Sequence, residues 1–163
     1  MTDAAARIAP LRIDSETPAD AAVIDDLVLA AFGPGRFAKT AERLRESAGV
    51  AGGFVAREGG GVTGSVRLWT ISIGDAPALF LGPIAVAADN RRAGLGADLV
   101  RACLDLAGRQ GVAGVLLVGD PPYFGRFGFG PAPEARLPGP VDPTRVLWWG
   151  STPPPAGAVR ART

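Results

Sequence analysis

Residues 81–100 read LGPIAVAADNRRAGLGADLV. An apolar run ends at Ala88, a polar turn and two arginines follow, and two glycines stand at G-x-G spacing, Gly94 and Gly96. Leu95, Leu99, Cys103 and Leu106 then recur at helical spacing. This pattern describes a buried strand handing the chain through a glycine turn to the first turn of a helix. At such a turn free backbone N–H groups and the positive end of the helix dipole can hold an anion. The cradle comprises Arg92, Ala93, Gly94, Leu95, Gly96 and Ala97, with Arg91 and Arg92 adding charge. A pyrophosphate fits it, and so does a tight turn that merely requires glycine. It is not the G-x-G-x-x-G of a dinucleotide turn, because Leu99 stands at the last position, and it lacks the Gly-Lys-Ser/Thr ending of a P-loop.

Other chemistry-bearing residues are few. With no histidine and one cysteine, histidine-based triads, intrachain disulfides and multi-cysteine metal sites are excluded, and no metal is expected. Acid–base work falls to carboxylates, Tyr123, lysine, the α-amino group, the cysteine or water. Asp120 follows an apolar strand, where it can serve as a base or cap a short helix before Pro121. Tyr123 reads as an acid or as a packed aromatic with its hydroxyl at the surface. Asp75, Glu42 and Glu46 are more distant candidates for the base and read first as solvated carboxylates, and Cys103 reads as core on an apolar helix face. Trp69, Trp148 and Trp149 suit an acceptor pocket, a dimer seam or plain core.

The elements that must position these groups read in order. Residues 7–13 form a weak first strand. Thr17-Pro18-Ala19-Asp20 starts a helix whose apolar face carries Ile24, Leu27, Val28 and Ala31 and which Gly33-Pro34-Gly35 ends. Phe37, Ala41, Leu44 and Ala48 mark a second helix, with Lys39, Glu42, Arg43, Arg45 and Glu46 on a solvated face. Strands follow over 50–57 and 62–73, joined by a turn at 58–61. A strand over 78–87 contains Pro83, which cannot donate to a ladder and predicts a bulge or a splayed edge at Gly82-Pro83. A helix over 94–110 and a strand over 112–118 make a parallel crossover. A short helix near Tyr123 and strands near 127–131 and 145–149 follow. Residues 151–163 lack periodicity and read as a flexible or extended tail behind one domain, 1–150.

Composition bounds the partners. The 163 residues include 17 basic and 16 acidic side chains, which argues against a large nucleic-acid footprint. No apolar run approaches the roughly 20 residues that span a bilayer, and MTDAAARIAP is no secretory signal. A cytoplasmic protein, monomer or homodimer, is expected. Its 23 glycines and 15 prolines suit a GC-rich genome.

The element order and the run R-R-A-G-L-G resemble the GCN5-related N-acetyltransferase (GNAT) superfamily. Arg91, Gly94 and Gly96 match its Q/R-x-x-G-x-G/A pattern. LGPIAV and GDPPYFGRFGF are similar to the LGPLAV and GDPxYYxRFGF of a bacterial subgroup of predicted acetyltransferases. The likeness covers about residues 54–130. It implies an α/β fold with a mixed central sheet splayed between its fourth and fifth strands and flanked by helices. It also implies that acetyl-CoA binds with its pyrophosphate at Arg91, Gly94 and Gly96 and its pantetheine in the splay. Backbone groups of Ile84, Ala85 and Val86 would then line the pantetheine, with an N–H at Ile84 polarising the thioester carbonyl. The reaction implied is direct transfer of acetyl to a primary amine in a ternary complex; the alternative is a catalytically weak acyl-CoA-binding module. The family often has a tyrosine acid five residues before the phenylalanine of the terminal G-F. Counting back from Phe129 gives Phe124, and Tyr123 lies about 100° away on a helix.

Overall fold

The computed structural model describes residues 10–90 and 93–163. The chain runs β1 (Arg12–Ser15), α1 (Ala21–Phe32), α2 (Thr40–Glu46), β2 (Val50–Glu58), β3 (Gly61–Ile73) and β4 (Ala76–Leu81). It continues through β5 (Ala85–Val86), α3 (Leu95–Arg109), β6 (Gly114–Val118), α4 (Pro121–Gly125), β7 (Gly130–Pro131), β8 (Ala135–Arg136), β9 (Val146–Gly150) and β10 (Gly157–Ala161). Short 3-10 turns at Pro18–Asp20 and Pro34–Ala38 lead into α1 and α2, and another at Pro143–Arg145 leads into β9.

The main sheet is ordered β1-β2-β3-β4-β6-β9-β7. Its neighbours are antiparallel except β4 and β6, which the α3 crossover makes parallel. Period-two alternation sorts the side chains of the central strands onto two faces. Leu79, Leu81, Val115 and Leu117 face α3, which buries Leu95, Leu99, Val100, Cys103 and Ala107 against them. Phe80, Leu116, Val146 and Trp148 face the other way, with Leu44 of α2. Ile24 and Val28 of α1 pack on Val55 and Ala85.

The parallel contact between β4 and β6 is short. It covers only Leu79 beside Val115 and Phe80 beside Leu116. Beyond it Gly82 and Pro83 interrupt the strand, and β5 resumes against Gly64 and Ser65 of β3, while β6 continues beside β9 to Val118. The expected single strand over 78–87 is thus two pieces with a fork beside them. Proline removes a ladder donor here, and Gly82 adopts φ 136°, a conformation that side-chain-bearing residues rarely enter. The kink is tied to β3, where the Gly82 N–H donates to the Arg67 carbonyl (2.9 Å) and the Trp69 indole N–H to the Gly82 carbonyl (2.6 Å).

Three other expectations shift. The first strand begins at Arg12, later than the weak apolar pattern suggests, and Asp14 lies inside it; residues 7–9 of the expected strand lie outside the described residues. Ala31 is exposed, because only Ile24 and Val28 of the α1 stripe are fully buried. The aperiodic tail is extended, and its residues Gly157–Ala161 form a ladder strand. They pair antiparallel with β3 at Ile71–Ile73 and parallel with β8. Five residues with one fully buried apolar side chain, Val159, are too few to register as periodicity.

Candidate active site

The fork opens a cavity of about 540 Å³. One wall is Phe80 to Ile84, where β4 leaves the sheet; the opposite wall is Leu117 to Asp120 with Phe124. Arg36, Glu42 and Arg45 close it from the α2 side, and Val141, Asp142 and Arg145 from the other. A smaller cavity of about 200 Å³, lined by Ile24, Asp25, Val28, Ser65, Arg67 and Trp69, shares Arg36, Glu42 and Pro83 with the first.

Strand geometry decides which backbone groups face the fork. Ala87 donates its N–H to the Thr63 carbonyl of β3 (2.8 Å). N–H groups of successive strand residues point to opposite edges, so that of Val86 points away from β3. Ala85 is turned the other way, toward β3, and its side chain is core. Of the three residues expected there, Val86 carries the unpaired edge of β5 and Ile84, just before that strand, lines the cavity.

At the glycine turn, Gly94 at the N-cap of α3 takes a left-handed conformation (φ 81°) that glycine enters without strain, and its carbonyl accepts from Asp98 N–H (3.0 Å). Leu95 and Ala97 are buried while Ala93 and Gly94 are exposed, so side chains anchor the turn and its backbone faces out. Arg91 and Arg92, expected to add charge, lie outside the described residues.

The short α4 separates the two aromatics. Phe124 lines the cavity and packs its ring against Gly119, with Phe129 edge-on at 5.8 Å. Tyr123 points to the glycine turn: a Cβ added at Gly96 would meet its hydroxyl at 3.0 Å. The Arg126 guanidinium covers the Tyr123 ring at 4.5 Å. Asp120 occupies the N-cap position, yet its side chain makes no capping bond; only its carbonyl serves the helix, accepting from Phe124 N–H (3.0 Å). Its exposed carboxylate lines the cavity.

Glu42 and Arg45 are not on a solvated face. Their side chains are 13% and 12% exposed, and Arg36 is 19% exposed. One Glu42 carboxylate oxygen forms ion pairs with Arg36 (3.0 Å) and Arg45 (3.4 Å). Burial lowers the Arg45 pKa, with Glu42 opposing the shift. The amphipathic reading fails here because the sheet and the 140s loop cover α2 on the side where helical spacing puts charge. Alternating sign at Arg36, Glu42 and Arg45 was the available signal, and it is also the signature of an ordinary exposed helix. Glu46 is exposed, and Asp75 sits in the turn that begins β4, at the strand end away from the fork. Among the tryptophans, Trp69 lines the smaller cavity, whereas the Trp148 indole donates to the Ser151 carbonyl (2.9 Å). Cys103 is fully buried and burial pushes its thiol up to about 12; it is core, as expected. No cluster of metal-ligating side chains occurs among the described residues.

The model of the acetyltransferase (GNAT) family matches residues 21–129. The chain belongs to that family. The uncharacterized N-acetyltransferase YhbS of Escherichia coli (strain K12) is 35% identical over 117 residues, 70% of each chain. The crystal structure of Escherichia coli YhbS in complex with CoA superposes with a TM-score of 0.80 at 28% identity, covering 94% of this chain and 91% of that one. A GNAT family acetyltransferase from Brucella melitensis in complex with acetyl-CoA gives 0.72 at 27% identity, over 94% and 97%. The matched segment runs from the start of α1 through Phe129. For this GNAT chain it takes in α2, the fork, the glycine turn and α4.

Proposed function

We propose that the chain transfers an acetyl group from acetyl-CoA to a primary amine by direct attack within a ternary complex. The observation that carries this reading is the fork. Where β4 leaves the sheet, Pro83 and Ile84 line a cavity of about 540 Å³, and β5 with the glycine turn that starts α3 follows directly. An extended pantetheine pairs with the unpaired edge of β5, and its pyrophosphate rests on the N–H groups around Gly94 and Gly96. CoA and acetyl-CoA in the two relatives' crystal structures support the same donor.

The neutral amine attacks the thioester carbonyl carbon. The C–N bond forms as the C–S bond breaks, and the oxyanion between them accepts from the Ile84 N–H. Asp120, free of capping duty and exposed to the cavity, takes the amine proton directly or through a water. Phe124 occupies the place of the family's acid, so sulfur leaves as thiolate and is protonated by solvent. The Tyr123 hydroxyl, against Gly96, serves the phosphate end of the donor.

Phe124 also favours a second reading, a CoA-binding module of little activity. Thermal-shift titration with CoA, acetyl-CoA, ATP and NAD tests the donor: stabilisation by the CoA species alone is expected, and equal stabilisation by ATP would sink it. Thiol release from acetyl-CoA across an amine panel then separates enzyme from module.

A further inference from the structure

The kink that opens the fork is held by a side chain as well as by the sheet. The Gly82 N–H donates to the Arg67 carbonyl (2.9 Å), one residue past the pairing of Leu81 with Leu68. A continued antiparallel ladder would return the Gly82 carbonyl to the Arg67 N–H. That carbonyl instead accepts from the Trp69 indole N–H (2.6 Å). Arg67 and Trp69 project from one face of β3, and both line the smaller cavity beside Pro83. The Gly82 carbonyl is therefore turned out of the ladder toward that face, at a residue whose φ of 136° suits glycine. A carbonyl and the next residue's nitrogen share one peptide plane. The indole bond thus sets the orientation of the Gly82–Pro83 peptide and the direction in which Pro83 and Ile84 leave β4. The ring that makes this bond is itself placed. Trp69 stands beside Phe80 in the sheet, and the Arg67 guanidinium lies 5.9 Å from its ring.

We propose that Trp69 is a positioning residue for acetyl transfer: its indole N–H, by fixing the Gly82 carbonyl, aims the Ile84 N–H at the thioester oxygen. The inference rests on the acetyl-transfer reading and adds to it a residue that acts through the backbone. An oxyanion donor is effective when it is held in place before charge develops. Ile84 has no ladder to hold it, because β4 ends at Leu81 and β5 begins at Ala85. Pro83 has no N–H with which to anchor the segment. Among the described residues, the hydrogen bonds that tie Gly82, Pro83 and Ile84 to β3 are the two made by Gly82, and one of them depends on Trp69. A half-buried indole wants an acceptor wherever it stands; what gives this bond a role in the chemistry is its place, two residues before Ile84. Without it the Gly82–Pro83 peptide is free to rotate, and a misplacement of about 1 Å at a reacting centre can cost about 10²-fold in rate.

The test reads the donor carbonyl itself. Acetyl-CoA isotopically labelled at the thioester carbonyl is bound without acceptor, and its carbonyl stretch is recorded by infrared difference spectroscopy. Wild type is compared with Trp69→Phe and with protein carrying benzothienylalanine in place of Trp69, which keeps the shape of the indole without its N–H. The isostere keeps the test intact if Trp69→Phe does not fold. We expect wild type to lower the stretch relative to free acetyl-CoA, and both substitutions to return it toward the free value. With any amine that supports thiol release, both should lower kcat by about tenfold or more, while CoA affinity measured calorimetrically stays unchanged. A tryptophan with only a structural role would lower the melting temperature and leave the stretch and kcat as they are; a lowered stretch that persists in the isostere therefore overturns this inference alone. A wild-type stretch equal to that of free acetyl-CoA, with thiol release from an amine, keeps acetyl transfer but removes the Ile84 donor and this inference with it. No thiol release from any amine removes the transfer reading and the positioning role together.

Discussion

The hydroxyl of Tyr123 lies 3.0 Å from the position that a Gly96 Cβ would take. The nearest tyrosine to the family's acid position is thus committed to the first turn of α3, while its neighbour Phe124 faces the cavity. A substituent at Gly96 must displace that hydroxyl and project over the turn's N–H groups. Gly96→Glu, which adds a carboxylate there, should abolish stabilisation by CoA in thermal-shift titration while leaving the unliganded protein folded. Tyr123→Phe should raise the KM for acetyl-CoA several-fold with kcat unchanged. A fall in kcat at constant KM would return Tyr123 to the role of acid.

Phe124 stands where a proton donor would be useful, and its ring is fixed against Gly119 and Phe129. Phe124→Tyr therefore installs a hydroxyl with little freedom to turn elsewhere. A general acid contributes typically about 10²-fold or more when the leaving group needs a proton, but a thiolate leaves tolerably without one. We expect kcat to rise by about tenfold or less, with the KM for acetyl-CoA unchanged. No gain, or a loss, would mean that the ring edge is not aimed at sulfur.

Asp120 lines the cavity with no bond from its carboxylate to the helix it starts. Asp120→Asn should leave the fold and CoA binding intact, because no cap is lost. It should lower kcat/KM for the amine about 10²-fold, with the loss shrinking as pH rises and more of the amine is already neutral. A drop in melting temperature matching loss of a helix cap, about 1 kcal/mol, with normal turnover, would make Asp120 structural.

The fork and the glycine turn were legible in the sequence and the α2 side of the cavity was not, for a physical reason. Gly94, Gly96 and Pro83 are backbone devices whose residue types are dictated locally: a left-handed cap, a close approach and a missing N–H. Each announces itself wherever it stands. Arg36, Glu42 and Arg45 acquire meaning only when the sheet and the 140s loop close over α2, and before that they look like any solvated helix face. The closing strand β10 was unreadable for the same cause, since its partners at Ile71–Ile73 lie far away in the chain.

Asp20 and Arg57 offer a pH test of the fold itself. The Asp20 carboxylate receives two bonds from Arg57 (2.9 and 2.7 Å) and one from the Thr17 N–H (2.8 Å), tying the start of α1 to β2. Arg57, with the Thr17 backbone N–H next in effect, holds this carboxyl far below the usual carboxylate range. A carboxyl depressed in the folded state contributes stability that is fully present above its unfolded pKa, about 3.9. That contribution disappears as pH falls below the unfolded value toward the folded one. Asp20→Asn should therefore lower the melting temperature at pH 7, and the gap from wild type should narrow steadily below about pH 4. Melting curves recorded at steps from pH 7 to 2 decide it: a gap that stays constant with pH would show that the ion pair does not anchor α1.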